Sequence, residues 1–424
     1  MPRSILLALL LAATAHAQWT IQQSNTTADL RGIDNVGHGI AWASGSNGTV
    51  LHTTDNGATW LLCKTPPDAE HLDFRGIQAF DAKTAIVMSS GKGDLSRLYK
   101  TTDGCQTWQL VFTNPDKDGF WDAIHANISE DRRSVDALIA GDPVGGSFTL
   151  FQLRVPLFTA GAKLLPFENG LCKEQAAALQ LSLPVPLCMK TFFDKQADAE
   201  ASSLQGGRAA AEQGRLTLLK MYANPAPRTT EALFAASNSS LANHSNTWFS
   251  PDIAFVTGGP KGARFLTFRG WPCAGMGCTY WRVTDVPMAV GESAGAFSIS
   301  VSATRDGGWH GVIVGGDYRK PDEHSGTGAF SADEGKTWQA SRTQPYGYRS
   351  AVAYDAATKT WITVGPNGTD ISTDDGRNWR ALKPSPTDTP DADQKWNALS
   401  LPFVVGPHGR IGLLNSTALQ PAKP

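Results

Sequence analysis

Apolar residues in this chain come in short runs broken by Gly, Asn, Asp and Ser, and the runs group into repeating units. The opening run of each unit reads Leu30-Arg31-Gly32-Ile33, Phe74-Arg75-Gly76-Ile77, Trp121-Asp122-Ala123-Ile124, Ser237 to Leu241, Ala294 to Ser298, Tyr348-Arg349-Ser350-Ala351 and Trp396-Asn397-Ala398-Leu399. A second apolar strand follows, ending in Gly or a polar turn, as in Ile40 to Gly45, Thr84 to Gly91, Ala137 to Gly141, Ile253 to Gly259, Gly311 to Gly316 and Trp361 to Gly365. A third and a fourth strand complete each unit on either side of a tight turn. The period is roughly 41–48 residues, and four short strands at that spacing make one propeller blade. The pattern predicts an all-β, seven-bladed β-propeller.

The turn between third and fourth strands is an octapeptide with four copies. They are Thr53 to Trp60, Thr101 to Trp108, Ser331 to Trp338 and Ser372 to Trp379. Asp55, Asp103, Asp333 and Asp374 can each accept backbone N–H groups two residues on, in an Asx-type turn. Gly57, Gly335 and Gly376 supply a positive φ, whereas the second copy carries its Gly one place early, at Gly104. Trp60, Trp108, Trp338 and Trp379 start the next strand and can wedge between neighbouring sheets. These octapeptides resemble the Asp boxes, or bacterial neuraminidase repeats, of β-propellers. In that geometry the boxes lie on one face of the disc, and the starts of first strands and ends of second strands lie on the other.

Asp103 and Asp333 are too far apart for three repeats alone, and the surplus is about 95 residues. It falls at about 155–235, where Lys173 to Leu181 and Gly207 to Lys220 read as helical, an insertion between blades three and four. The last unit offers three strands, and Trp19-Thr20-Ile21-Gln22 has the Trp-first pattern of a fourth strand. It is expected to complete blade seven and remove an open edge.

Arg3, the apolar run Ile5 to Ala13 and Ala15-His16-Ala17 read as a secretory signal peptide over 1–17, leaving 18–424 as one exported, periplasmic or extracellular propeller domain. No later run is long enough to span a bilayer. Charged residues make up 18% with a net charge of −2, which gives no reason to expect bulk nucleic-acid or membrane affinity. Six Cys in an exported chain permit three disulfides. Cys273 with Cys278 and Cys172 with Cys188 are local candidates, which leaves Cys63 and Cys105 to join two repeats. No tight CxxC or His/Cys pairing suggests a metal, and scattered His125, His310 and His324 do not add one. No dinucleotide fingerprint or haem-attachment pair suggests a cofactor, Gly91-Lys92-Gly93 opens no helix, and Ser293 lacks a nucleophile elbow.

Laid on a propeller, the sequence gathers a polar rim at the channel mouth. Arg31, Arg75 and Arg349 sit at equivalent first-strand positions, with Trp121, Asp122, Trp396 and Glu292 beside them. The ends of second strands add Asn47, Lys92, Asp142, Lys261, Asp317, Tyr318 and Asn367. Repeated Arg can hold carboxylates on a ligand or protein tail, or pair with Asp34, Asp122 or Glu292 of a neighbouring blade. Three Arg with Glu and Tyr also resemble a sialidase. That likeness implies Arg31, Arg75 and Arg349 as a carboxylate clamp, Tyr318 or Tyr348 with Glu292 as nucleophile, and Asp122 or Asp142 as acid/base. The stretch before the first box reads Leu30-Arg31-Gly32-Ile33, however, rather than Arg-Ile-Pro. The chain is more similar, over most of its length, to the photosystem II stability/assembly-factor propellers, which use an Arg-rich patch to bind a precursor protein. The resemblance implies a monomeric assembly scaffold that grips an acidic peptide or protein partner. The alternative is a carbohydrate-active enzyme acting on a glycan.

Overall fold

In the computed structural model the described residues are 18–129, 133–157, 190–191, 217–220, 226–243, 253–273, 276–382, 389 and 391–419. They form seven antiparallel sheets, five of them built strictly in chain order from an inner to an outer strand. The seven inner strands are Leu30–Gly37, Phe74–Ala79, Trp121–Ile128, Leu241–Asn243, Ala294–Ala303, Ala351–Asp355 and Ala398–Ser400. The chain is a seven-bladed β-propeller.

The third blade has a fifth strand. Thr217–Lys220 pairs with Phe151 to Arg154 of the long third strand, and Lys190–Thr191 pairs outside it. Thr217–Lys220 falls in the stretch read as helical, and here that reading fails. The exposed edge of a ten-residue strand, Ser147–Pro156, offers backbone groups that an extended partner satisfies and a helix cannot. The remaining helical expectation, the Cys172–Cys188 pair and the leader over 1–17 lie outside the described residues, as do the side chains of Cys273 and Cys278.

Closure is made by the N-terminal strand. Trp19–Gln22 pairs with Ile411–Leu414 as the outer strand of blade seven. Asp393 fastens it there. Its carboxylate accepts Trp19 Nε1–H and Trp396 Nε1–H, each at 3.1 Å, and Thr369 N–H at 2.9 Å. It also accepts from the Thr369 hydroxyl. One buried acid thus joins the first strand to blades six and seven.

The octapeptide turns share one hydrogen-bond scheme. Asp55 Oδ1 accepts the Thr59 N–H at 2.8 Å and Oδ2 accepts the Thr59 hydroxyl at 2.5 Å. The carboxylate therefore reaches four residues on rather than two. The hydroxyl of Thr53 does the remaining work, donating to Asp55 and accepting the Gly57 N–H at 2.9 Å. The same bonds recur at Asp103 with Thr107, Asp333 with Thr337 and Asp374 with Asn378. They hold all four carboxyls below the usual range. The Trp that ends each box packs against the preceding blade, as Trp60 does edge-on to Phe403 and Trp338 does, tilted, to Phe265.

Each turn needs two consecutive residues at positive φ, for example Asn56 at 60° and Gly57 at 80°. In the second box the pair is Gly104 at 72° and Cys105 at 59°. Cys105 stands where the other boxes have Gly because its side chain bonds to Cys63 of the preceding blade. Sequence separation across that disulfide is 42, and closing such a loop constrains the unfolded chain by about 2–4 kcal/mol. Reduction is expected to lower stability by that amount. Cys63→Ala/Cys105→Gly should retain about 1 kcal/mol more than Cys63→Ala/Cys105→Ala, because Gly relieves the left-handed backbone. Urea unfolding of the two variants measures the difference, and equal midpoints would contradict it.

Inner strands are stitched to one another around the axis by side chains that accept backbone N–H groups of the next blade. Asp34 accepts Ala79, Gln78 accepts Ala126, Ser298 accepts Val352 and Ser400 accepts Asn35. Burial of Asp34 in this wall pushes its pKa up to about 6.

Candidate functional site

Four inner strands carry a register break near their start. The residue left unpaired is Arg31 between Leu30 and Gly32, Arg75 between Phe74 and Gly76, Asp122 between Trp121 and Ala123, and Phe297 between Ala296 and Ser298. A β-bulge releases its side chain from the alternation of the strand and re-aims it. Gly32 and Gly76 make two of these bulges possible. A Cβ on Gly32 would lie 2.4 Å from Ser44 Oγ, and one on Gly76 would lie 2.6 Å from Ile124 Cγ2.

The axis beneath these residues is crossed by the strap that leads into blade four. Arg75 Nη1–H donates to Ala235 O at 3.0 Å, and Ile124 N–H donates to Asn238 Oδ1 at 2.7 Å. Ser237 Oγ–H donates to Ser350 O at 2.7 Å, and Ile299 N–H donates to Ser239 O at 2.9 Å. The strap therefore touches blades two, three, five and six. The mouth has a floor rather than an open bore.

Arg31 and Arg75 meet at one carboxylate, Asp73. Arg75 Nε is 2.8 Å from Asp73 Oδ2, while Arg31 Nε stands 3.7 Å from Oδ1. Among the described residues Arg31 donates no hydrogen bond, so two guanidinium groups share one acid and a positive charge is in surplus. Neither Asp34 nor Glu292 is the partner. Sequence reasoning missed Asp73, although Asp29-Leu30-Arg31-Gly32-Ile33 and Asp73-Phe74-Arg75-Gly76-Ile77 repeat it as part of one pentapeptide.

Beside Arg31 lies an aromatic shelf. Phe234 of the strap stacks on Phe297 at 4.0 Å, Tyr348 meets Phe297 edge-on at 4.8 Å, and Tyr318 meets both. Burial pushes the Tyr348 hydroxyl well above its usual value, partly offset by the Arg31 charge. Tyr318 is 45% exposed and is the part of this shelf that faces solvent most openly.

Behind Arg75, Asp122 and Asp142 sit together. Asp122 is 2% exposed and its Oδ2 has no hydrogen-bond partner among the described residues. Asp142 Oδ1 accepts the Leu233 N–H at 3.1 Å. Burial raises the Asp142 pKa to about 6. Burial and then the neighbouring Asp142 push Asp122 well above the carboxylate range, against the pull of Arg75.

Other residues expected on the rim are elsewhere. Arg349 is 1% exposed, with Nε 2.8 Å from Asp370 Oδ2 and Nη1 2.5 Å from Asn367 Oδ1. It is a buried brace rather than a rim group, because its strand starts at Ala351 with no bulge to release it. Trp121 and Trp396 are fully buried, Trp121 stacked on Phe112 of blade two and Trp396 clustered with Ala351 and Val364 of blade six, so both fill the space between blades. Asp317 Oδ1 is occupied by the Ser293 hydroxyl and the Arg319 N–H. Lys92 pairs with Asp118 at the surface. Glu292 stays exposed on blade five, one residue from Ser293, whose carbonyl accepts the Tyr318 N–H at 3.2 Å. With Arg349 held in the interior by Asp370 and Asn367, the three-Arg carboxylate clamp of a sialidase is not assembled. His52, Cys63 and Cys105 lie within metal-ligand spacing, but the disulfide occupies both sulfurs.

The fold is a seven-bladed β-propeller whose mouth is floored by the strap and carries Arg31 and Arg75. Among solved structures, this chain is similar to YCF48 from Cyanidioschyzon merolae, at 16% identity and a TM-score of 0.49, covering 95% of this chain and 99% of that one. It is also similar to a structure described as YCF48 bound to D1 peptide, at 14% identity and a TM-score of 0.48, covering 94% and 96%. No protein-family model matches the chain, and no curated protein matches it. The fold assignment rests on the seven sheets themselves.

Proposed function

We propose that this chain is an exported binding and assembly scaffold that grips an acidic peptide or protein segment at the channel mouth. The observation that carries the reading is the sharing of Asp73 by Arg31 and Arg75, which leaves the bulged, one-third-exposed Arg31 without a hydrogen bond among the described residues. A ligand carboxylate supplies the acceptor that Arg31 lacks, in the bidentate geometry guanidinium groups favour. The shelf ending in Tyr318 takes an apolar or aromatic side chain next to that carboxylate. Export is read from the N-terminal apolar run Ile5 to Ala13.

Titration of a tetramethylrhodamine-labelled hexa-aspartate peptide tests the site. The native chain should bind it with an affinity that falls with added salt. Arg31→Ala/Arg75→Ala should bind at least about tenfold more weakly, since charge-assisted bonds are worth roughly 1.5–3 kcal/mol each. Equal affinities would remove Arg31 and Arg75 from the site.

A further inference from the structure

We propose that Asp122 and Asp142 form a proton-sharing pair that tunes the grip of the Arg31–Arg75 site, so that acidic ligands are held more tightly as pH falls. The inference rests on the binding reading above. The geometry comes first. Asp122 is a bulged residue at the start of the inner strand of blade three, and Asp142 lies at the end of the strand that pairs with it. Both are packed beneath the strap. Asp142 holds the strap at Leu233 N–H, and Arg75 holds it two residues later at Ala235 O. Asp122 keeps one buried oxygen with no partner among the described residues.

Two neighbouring carboxylates, Asp122 buried and Asp142 half-buried, cannot both ionise cheaply, and a proton between them is the least costly neutraliser. With the pair protonated, Arg75 is answered only by Asp73, and the mouth keeps its surplus positive charge. When the pair loses a proton, its negative charge lies next to Arg75 and cancels that surplus. The remaining charged groups facing the pair do not reverse the sign. Asp73 lies between Arg31 and Arg75, and Glu231 at the head of the strap is paired with Arg264. His125, further along the same inner strand, has its pKa driven down to about 4 by burial and stays neutral.

The test uses the whole chain and the labelled hexa-aspartate peptide, whose carboxylates are ionised throughout, between pH 5.5 and 8 at fixed ionic strength. Native affinity should fall by on the order of threefold to tenfold across that range. Asp142→Asn keeps an acceptor for Leu233 N–H and should flatten the profile to less than about twofold. A flat native profile, or an equally steep one in Asp142→Asn, overturns the proposal while leaving the binding reading intact. Undiminished binding by Arg31→Ala/Arg75→Ala overturns the binding reading itself. A second measurement needs no ligand. Carbon-13 NMR of Asp-labelled protein should show, besides Asp34 and Asp393, a side-chain carboxyl titrating near pH 6 that is lost in Asp142→Asn. The same set of titrating carboxyls in the native protein and in Asp142→Asn overturns it.

Discussion

Arg349→Ala is expected to cost about 3–5 kcal/mol of stability, the penalty for leaving a buried carboxylate without its partner. Asp370 is 2% exposed and accepts from Arg349 Nε, Arg349 Nη2 and the Tyr346 N–H. Asn367, held by Arg349 Nη1, donates in turn to Pro321 O of the blade-five loop at 2.9 Å. Removing the guanidinium therefore breaks a brace between two blades and strands a charge. Arg31→Ala should change stability by less than about 1 kcal/mol, because its ion pair with Asp73 is long and part-exposed. Urea unfolding of both variants separates brace from rim. A mild Arg349→Ala with strongly weakened peptide binding would put that residue back on the rim.

Asp393→Ala carries the second large effect. It leaves the indole N–H of Trp396 and the backbone N–H of Thr369 buried without this acceptor, and reduces Trp19 Nε1–H to the Thr369 hydroxyl. Unsatisfied buried donors cost roughly 1–3 kcal/mol each, so the loss should reach about 3–5 kcal/mol. The N-terminal strand should become protease-sensitive near Gln22. Burial raises the Asp393 pKa from 3.8 to about 6. A raised acid pKa favours the protonated fold, so its stabilisation is complete below pH 3.8 and declines as pH rises to about 6. Asp393→Asn should accordingly cost less at pH 8 than at pH 4. A loss below about 1 kcal/mol in Asp393→Ala, with the strand still protected, would contradict this account of closure.

The blade count was legible because every blade needs the same alternation, and the four octapeptides mark the turns with side chains that their hydrogen bonds require. Closure by Trp19–Gln22 was legible for a similar reason: blade seven lacks a strand, and the Trp-first pattern supplies one. The mouth was only half legible. Arg31, Arg75 and Arg349 look equivalent in a hydrophobic pattern, yet the first two are followed by Gly and the third by Ser350. That Gly permits the close approach a bulge needs, and the bulge decides whether the guanidinium faces the mouth or the interior. The strap departs from the sequence reading: Ser237 to Leu241 is expected to open blade four, but the inner strand there begins only at Leu241. Ala235 to Ser240 is small and polar, without periodicity, and its place across the axis depends on partners in four other blades. Asp122 and Asp142 were named as rim acids, but only the strap shows that they are covered.

The most direct test of the binding account is affinity capture from a periplasmic extract of the source cells, with the native chain and Arg31→Ala/Arg75→Ala side by side. The account predicts a discrete protein partner retained by the native chain, released by salt, and absent from the variant. The same material retained by both forms would show that Arg31 and Arg75 serve the fold alone, and would contradict it.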